Sequence, residues 1–168
     1  MNSAQHWKEK LQLISHIEGG AFHEVYRSPL VLPQSALSPE HKGDRNASTS
    51  IYFLLEYGEF SAFHRIASDE LWHFYDGTTL SIYEIKQNGE LTKHLLGKDI
   101  ENGESLQVLI PAASWFASRV ETENSFALCG CTVAPGFDFT DFELANREKL
   151  QKQFPQYKEL IESLTRIS

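Results

Sequence analysis

Hydrophobic and polar residues alternate in short runs through the middle of the chain, from about residue 49 to residue 133. A period of two is typical of β-strands whose two faces meet different surroundings. Turn-forming residues such as Gly58, Gly77 and Pro111 separate the runs. The predicted strands are TSIYFLLE, EFSAFHRI, ELWHFYD, LSIYEIK, ELTKHLL, SLQVLI, SWFASRV and SFALCGCTV, preceded by AFHEVYRS. This many short strands favour an all-β fold, either a closed barrel or a double-sheet jelly roll.

Both ends of the chain change to helical periodicity. Ser3 is a candidate cap for a helix over AQHWKEKLQLI, and the runs DFELANREKLQKQF and QYKELIESLTRI predict helices on either side of Pro155. Residues 28–47 are rich in proline and polar residues and predict a long loop or lid. We therefore expect one domain over residues 1–168, with a barrel over about 20–135 and a helical segment over about 141–166.

Composition narrows the function classes. Hydrophobic residues make up 41% of the 168 residues, which is enough for a packed core, and the formal net charge is −8. No cluster of Lys and Arg is present to neutralise phosphates, so we expect no nucleic-acid partner. No apolar run is long enough for a bilayer, and MNSAQHWKEK lacks the apolar stretch of a secretory signal. A cytoplasmic protein that does not contact membranes is expected.

Two cysteines stand two residues apart in FALCGCTV. Residues at that spacing share one face of a strand, with Cα atoms roughly 6.5–7 Å apart. That distance is at or beyond the reach of a relaxed disulfide, so Cys129 and Cys131 are predicted to be buried, reduced thiols.

The stretch GEFSAFHRIASDELWHFYDG carries the most specific spacing in the chain. Gly58, His64, Glu70 and Gly77 stand where the first metal-binding motif of the cupin superfamily, G-x5-H-x-H-x3–4-E-x6-G, has its glycines, first histidine and glutamate. The second histidine of that motif is replaced by Ile66. The chain resembles a cupin that has lost part of its metal site.

The second cupin motif, G-x5-P-x-G-x2-H-x3-N, has a weaker counterpart in GESLQVLIPAASWFASRV. Phe116 stands where its histidine would be, so two of the four ligand positions are apolar. A transition metal usually needs three protein ligands. We therefore expect no metal and no cofactor.

Longer blocks resemble the uncharacterised cupin-5 subfamily. They are EGGAFHEVYRS, TSIYFLL, EFSAFHRIASDELWHFYDG, PAASWFAS and GCTVAPGFDFTDFELANR. The resemblance implies a double-stranded β-helix, the cupin jelly roll, with short flanking helices. It also implies a homodimer similar in fold to dTDP-sugar epimerases, with sheet-edge strands as the expected contact. No reaction follows from it.

Strand parity and the resemblance together indicate the site. If His64 and Glu70 point into the barrel, Trp72 and Phe74 lie inside as well, and Phe116 joins them from the second motif. A buried carboxyl needs a partner, so we expect His64 to pair with Glu70 and to act as an acid or base. Trp72, Phe74 and Phe116 are candidate ligand-stacking walls, or plain core.

A second group of candidates lies on AFHEVYRS. Phe22, Glu24 and Tyr26 share one face of this strand, which the resemblance places near the barrel opening. Phe22 and Glu24 are candidate ligand contacts, and Tyr26 is a candidate proton donor. Surface or dimer contacts are the alternative for Glu24 and Tyr26.

Three functions stay open at this point. The first is binding of a small polar or sugar-like molecule inside the barrel, with or without a reaction. The second is a metal-independent sugar-nucleotide epimerase with His64 as its base and Tyr26 as its acid. The third is a metal-dependent cupin enzyme, which Ile66 and Phe116 argue against.

Overall fold

The computed structural model describes residues 3–167 and contains two facing antiparallel sheets. Most of the strands begin and end within a residue or two of the hydrophobic runs that predict them. Their bounds are β1 Ile14–Ser15, β2 Ala21–Arg27, β3 Val31–Leu32, β4 Arg45–Asn46, β5 Thr49–Glu56, β6 Phe60–Arg65, β7 Asp69–Gly77, β8 Leu80–Ile85, β9 Leu91–Leu96, β10 Gln107–Ile110, β11 Trp115–Val120, β12 Phe126–Ala134 and β13 Glu143–Leu144.

The first sheet has six strands in the order β1-β2-β5-β12-β7-β10, and the second has five in the order β13-β6-β11-β8-β9. Strands β3 and β4 form a separate two-stranded ribbon. Neighbours in each sheet are mostly distant in sequence, as in a jelly roll, where the chain crosses repeatedly between two sheets. The predicted all-β jelly roll with short terminal helices is confirmed.

The main core fills the space between the sheets because the inward residues of both are apolar. Trp72, Phe53 and Phe116 are its largest members, each about 1% exposed. Phe53 meets Trp72 edge-on at 5.6 Å between ring centroids. This packing fills the space between the sheets around these three rings.

Short helices cover the outer faces of the sheets. Helix α1, Ala4–Lys10, begins at the Ser3 cap, whose side chain accepts a hydrogen bond from the His6 backbone N–H. It packs over Leu54 and Leu128 of the six-stranded sheet. Helices α2, Arg147–Gln153, and α3, Lys158–Ser163, cover the outer face of the five-stranded sheet. Short 3-10 turns lie at Gln34–Ala36, Ile100–Asn102, Phe139–Asp141 and Pro155–Tyr157.

The prediction of a helix from residue 141 onward is wrong for its first six residues. Glu143 and Leu144 form β13 and pair with Arg65 and His64 of β6. The helix starts only after Asn146, whose side chain accepts a hydrogen bond from the Lys149 N–H. An unpaired strand edge offers backbone hydrogen bonds that outweigh helical propensity here.

The segment 28–47 is packed rather than loose. Its Arg45 guanidinium is buried and forms a two-pronged ion pair with Asp141, with both N···O distances 2.6 Å. His41 lies between the hydroxyls of Ser38 and Ser68, at 2.9 and 3.0 Å. These contacts fix the segment beside the stretch that follows β12.

The two cysteines are free and buried, as predicted. Over residues 3–167, no helix has both the length and the apolar character needed to cross a membrane.

Candidate functional site

A cavity of about 240 Å³ opens at one end of the barrel. Its walls come from the β1–β2 connection, from β2, β5, β6, β7 and β12, and from the stretch after β12. The lining residues are His16, Glu18, Phe22, Glu24, Arg27, Thr49, Ile51, Phe53, His64, Ile66, Glu70, Cys131, Val133, Phe137, Asp138 and Phe139.

His64 lies on the inner wall with both ring nitrogens engaged. Its Nδ1 is 2.7 Å from the Ala62 carbonyl oxygen, which can only accept, so the ring proton is on Nδ1. Its Nε2 is 3.1 Å from Glu18 Oε2. Burial lowers the His64 pKa to about 4. The imidazole is therefore neutral near pH 7, and Nε2 offers a lone pair toward Glu18.

Glu18 completes this contact from the β1–β2 connection. Its Oε1 accepts a hydrogen bond from the Ser61 hydroxyl at 2.9 Å. Burial raises the pKa of the Glu18 carboxyl. The raised pKa of Glu18 and the lowered pKa of His64 both favour a proton on the carboxyl over one on the imidazole. A protonated Glu18 can donate to His64 Nε2, so the pair shares one proton.

The backbone explains how Glu18 reaches β6. The Glu18 carbonyl accepts a hydrogen bond from the Ala62 N–H at 2.8 Å. Gly19 follows with φ of +118°, and a Cβ there would lie 2.1 Å from the Phe60 carbonyl oxygen. Only glycine permits this close approach, so Gly19 positions the Glu18 carboxyl beside His64.

His16 adds a second imidazole to the cavity wall. The Glu18 backbone N–H donates to His16 Nδ1 at 3.3 Å, which leaves the His16 proton on Nε2. The ring packs edge-on against Phe22 at 4.6 Å and lies parallel to Phe139 at 6.1 Å. Burial is the main reason that the His16 pKa is lowered.

Glu70 faces the same cavity from β7 and is 8% exposed. Burial, with a smaller contribution from the charge of Glu18, raises the Glu70 pKa to about 8. Its hydrogen-bonding neighbour is the Cys131 thiol. At neutral pH the site thus holds a protonated Glu70 carboxyl and a neutral His64 imidazole.

The expected pairing of His64 with Glu70 is wrong, because His64 Nε2 faces Glu18. Both side chains do line the cavity, as strand parity indicates. Sequence reasoning missed Glu18 and His16, which lie outside any predicted strand. The signal available was the EGG that opens the family-like block EGGAFHEVYRS, where paired glycines indicate a tight backbone approach.

The structure places the aromatic candidates at different depths. Phe22 lines the cavity. Trp72 and Phe116 lie below it in the core, where Phe116 contacts the His64 ring at 4.1 Å between centroids. Phe74 packs against the same core from a partly exposed position. Trp72, Phe74 and Phe116 therefore support the cavity instead of lining it.

A β-bulge lies between the remaining candidates on β2, Glu24 and Tyr26. Glu24 pairs with Ile51 and Tyr26 with Ser50, so Val25 is the extra residue that shifts the register. Glu24 stays in the lining, and its carboxylate accepts two hydrogen bonds from Arg27, at 2.9 and 2.7 Å. Tyr26 is 51% exposed and outside the lining. The expectation that these residues share one face is wrong for Tyr26.

Phenylalanines after β12 cover the cavity from the solvent side. Phe137 and Phe139 line it and meet edge-on at 4.9 Å. Phe142 lies over the His64 ring at 5.3 Å between centroids. The pairing of β13 with β6 and the Arg45–Asp141 ion pair hold this cover in place.

The residues present do not fit the metal of the cupin motifs. Ile66 lines the cavity wall and Phe116 stacks on His64, so neither ligand position can donate an electron pair. Throughout residues 3–167, no three His, Cys, Asp or Glu side chains are grouped as metal ligands would be.

Two facing antiparallel sheets with a polar cavity at one end define the chain as a cupin-type jelly-roll protein. The model of the family described as Cupin superfamily (DUF985) matches residues 5–145, and the chain belongs to that family. The uncharacterized protein YML079W of Saccharomyces cerevisiae is 32% identical over 140 residues, which are 77% of this chain and 69% of the yeast protein.

Solved structures agree with the fold. Protein SO0799 from Shewanella oneidensis superposes with a TM-score of 0.88 at 41% identity, covering 100% of both chains. A hypothetical protein from Leishmania major gives 0.91 at 31% identity, covering 99% of this chain and 100% of its own. A Bacillus subtilis oxalate decarboxylase variant gives 0.55 at 15% identity, covering 93% and 38%, and shares the fold alone. The chain is therefore a cupin-fold protein.

Proposed function

We propose that the protein binds a compact polar, sugar-like molecule in the cavity at the barrel end. The observation that carries this is the convergence of His64, Glu18, His16 and Glu70 on one cavity whose other walls include the apolar side chains of Phe22, Ile51 and Phe137. Ligand sites are typically apolar hollows with a few placed polar groups. Typical cavities start at about 300 Å³, so a volume of about 240 Å³ suits a molecule of about one ring.

A library of single-ring polar metabolites, screened by ligand-observed NMR, tests the proposal. Phe22→Trp should abolish binding, because the larger ring would fill the cavity from its wall. Tyr26→Phe is the matched control on the same strand and should bind normally, because Tyr26 is outside the lining. Equal binding by both variants, or no binding of any compound to the unmodified protein, would refute the proposal.

Isomerisation by proton transfer is a second candidate function. The observation in its favour is the shared proton of His64 and Glu18, which gives the wall both a donor and an acceptor. Tyr26 does not line the cavity, so it does not serve as the proton donor of a sugar-nucleotide epimerase, and Arg27 is paired with Glu24, so it is not free to bind a pyrophosphate. Solvent deuterium should enter a panel of keto sugars if the function holds, and His64→Gln should stop the exchange.

The homodimer is also part of the proposal, with β2 as its contact. In the part of the chain that the structure describes, β1 pairs only with Ala21 and Phe22 of β2, so the outer edge of β2 beyond Phe22 has no strand beside it. Val25 is an exposed apolar side chain on that strand, and the exposed Leu30 and Val31 follow it in the sequence. Free apolar strand edges commonly pair with a second chain.

Light scattering tests the dimer. The expected mass is twice the 19.1 kDa of one chain. Val25→Lys at the free edge should reduce it to that of one chain. Leu109→Lys, an equally exposed leucine on the other edge strand β10, should leave it unchanged. A monomer before any substitution would refute the dimer.

A cytoplasmic location completes the proposal. Two buried, reduced cysteines fit a reducing compartment. Fractionation of cells that produce the protein tests this, and recovery outside the cytoplasm would contradict it.

A further inference from the structure

Carboxyl side chains outnumber cationic side chains among the described residues that line the cavity. Four carboxyl residues line it: Glu18, Glu24, Glu70 and Asp138. Within residues 3–167, Arg27 is the one Arg or Lys that lines the cavity, and its guanidinium donates hydrogen bonds to Glu24, to the Asn46 side chain at 2.9 Å and to the Phe137 carbonyl at 3.2 Å. An anionic ligand would therefore meet carboxyls without a free counter-charge.

Among the four carboxyls that line the cavity in the described part of the chain, Glu70 has the fewest hydrogen-bond partners. It is 8% exposed and lines the cavity, and no nitrogen or hydroxyl of residues 3–167 donates a hydrogen bond to it; its contact is the Cys131 thiol. A buried carboxyl without a strong donor is costly. Glu18, by contrast, is bonded to Ser61 and His64. A donor supplied by a ligand would complete the coordination of Glu70.

Aromatic rings surround the same space. Phe22, Phe53, Phe137 and Phe139 all line the cavity, together with the His16 ring. The faces of aromatic rings carry partial negative charge and attract cations, most strongly where water is excluded. Carboxyls on the inner wall and rings around them are the two features that together select an organic cation.

We infer that the molecule bound in this cavity is a small organic cation, a protonated amine that donates to the carboxyl of Glu70 beneath the phenylalanine rings. This inference rests on the proposed function and specifies its ligand class. The volume of about 240 Å³ limits the amine to about one ring. A neutral polyol could enter but would bring no charge to stabilise an ionised Glu70, and a carboxylate would add a further negative group.

Binding of the amine should be coupled to proton release. An ammonium beside Glu70 favours its ionised form, and near pH 7 that carboxyl still holds its proton because its pKa is about 8. About one proton per bound amine should therefore leave the site. Glu18, His64, His16 and Cys131 face the same space, and the His64 and His16 imidazoles are the groups there that can take up part of that proton.

Two series of probes matched in size test the inference by isothermal titration calorimetry at pH 7. The first is glucosamine, glucose and glucuronate, and the second is cyclohexylamine, cyclohexanol and cyclohexanecarboxylate. In at least one series the amine should bind about tenfold or more tighter than the neutral compound, and the acid weakest. A pH indicator in weakly buffered solution should record the released proton.

Glu70→Gln keeps the shape of the side chain and removes its ability to ionise. It should reduce the amine's advantage to less than about threefold and lower proton release. Glu123→Gln, an exposed glutamate far along the chain, is the matched control and should change nothing. Thermal melting checks that both variants fold.

The outcomes distinguish a wrong ligand class from a wrong proposed function. Neutral compounds that bind as tightly as the amines, or acids that bind tightest, overturn the cation while leaving the small-molecule function. An amine preference that survives Glu70→Gln overturns the assignment to this carboxyl. Failure of every probe in both series overturns the inference and counts against the proposed function as well.

Discussion

Replacing Glu70 by Gln should stabilise the protein, and increasingly so as the pH rises. Glu70 has an ordinary pKa of 4.5 in the unfolded chain and a pKa of about 8 in the folded barrel, because burial disfavours its ionised form. Between these values the unfolded chain has released the proton and the folded chain has kept it. Rising pH therefore lowers the free energy of unfolding throughout that window.

The magnitude follows from the size of the shift. Each pH unit inside the window costs the unmodified protein about 1.4 kcal/mol at this one position. From about pH 5.5 to about pH 7.5, the loss is about 2.7 kcal/mol. Gln resembles the protonated carboxyl in shape and cannot ionise, so the variant avoids this loss. Other groups titrate alike in both proteins and largely cancel in the difference.

Urea unfolding followed by tryptophan fluorescence at several pH values measures the effect. The difference in unfolding free energy between Glu70→Gln and the unmodified protein should grow by about 2–3 kcal/mol in favour of the variant over those two pH units. Glu123→Gln, on the surface, should give a difference that is flat with pH. A flat difference for Glu70→Gln, or one that grows in favour of the unmodified protein, would refute a buried, proton-retaining Glu70.

Two further pairs of variants test the fold around the site by chemical unfolding. Asp141→Asn should cost about 3–5 kcal/mol, because it leaves a buried guanidinium without its carboxylate; Glu143→Gln, which breaks an exposed ion pair, should cost less than about 1 kcal/mol, and equal costs would contradict the burial argument. Gly58→Ala and Gly77→Ala should each cost about 1–2 kcal/mol for their left-handed backbone. Gly77→Ala should lower the free energy of unfolding by about 1–3 kcal/mol more than Gly58→Ala does, because its Cβ would lie 2.1 Å from the Phe126 carbonyl oxygen. Similar losses of stability at both glycines would count against this packing.

Local pattern was sufficient for the strands of the barrel. Alternation predicts β5 at Thr49–Glu56 without error, and the predicted β12 differs from the observed strand by one residue at each end. These strands are buried on one or both faces, so their hydrophobic period matches the surface that they form. Turns at Gly58 and Gly77 need backbone angles that glycine adopts most readily, which makes them visible in the sequence.

Local pattern failed where a distant strand changed the outcome. Residues 141–146 have helical periodicity, but the free edge of β6 lies beside them and pairs with Glu143 and Leu144. The bulge at Val25 likewise separates Tyr26 from Glu24, although both stand at the same parity. Neither the edge nor the bulge has a signature in the neighbouring residues, because both depend on which strand lies alongside.

The sequence by itself determined the barrel, the inward direction of His64 and Glu70, and the apolar residues Ile66 and Phe116 where a cupin holds metal ligands. It could do so because strand parity and motif spacing are properties of neighbouring residues. Only the tertiary structure decided which carboxyl meets His64. Glu18 stands 46 positions before it in the numbering and reaches it because the backbone at Gly19 packs directly against β6. That contact depends on how two separate parts of the chain come together, which no local pattern records.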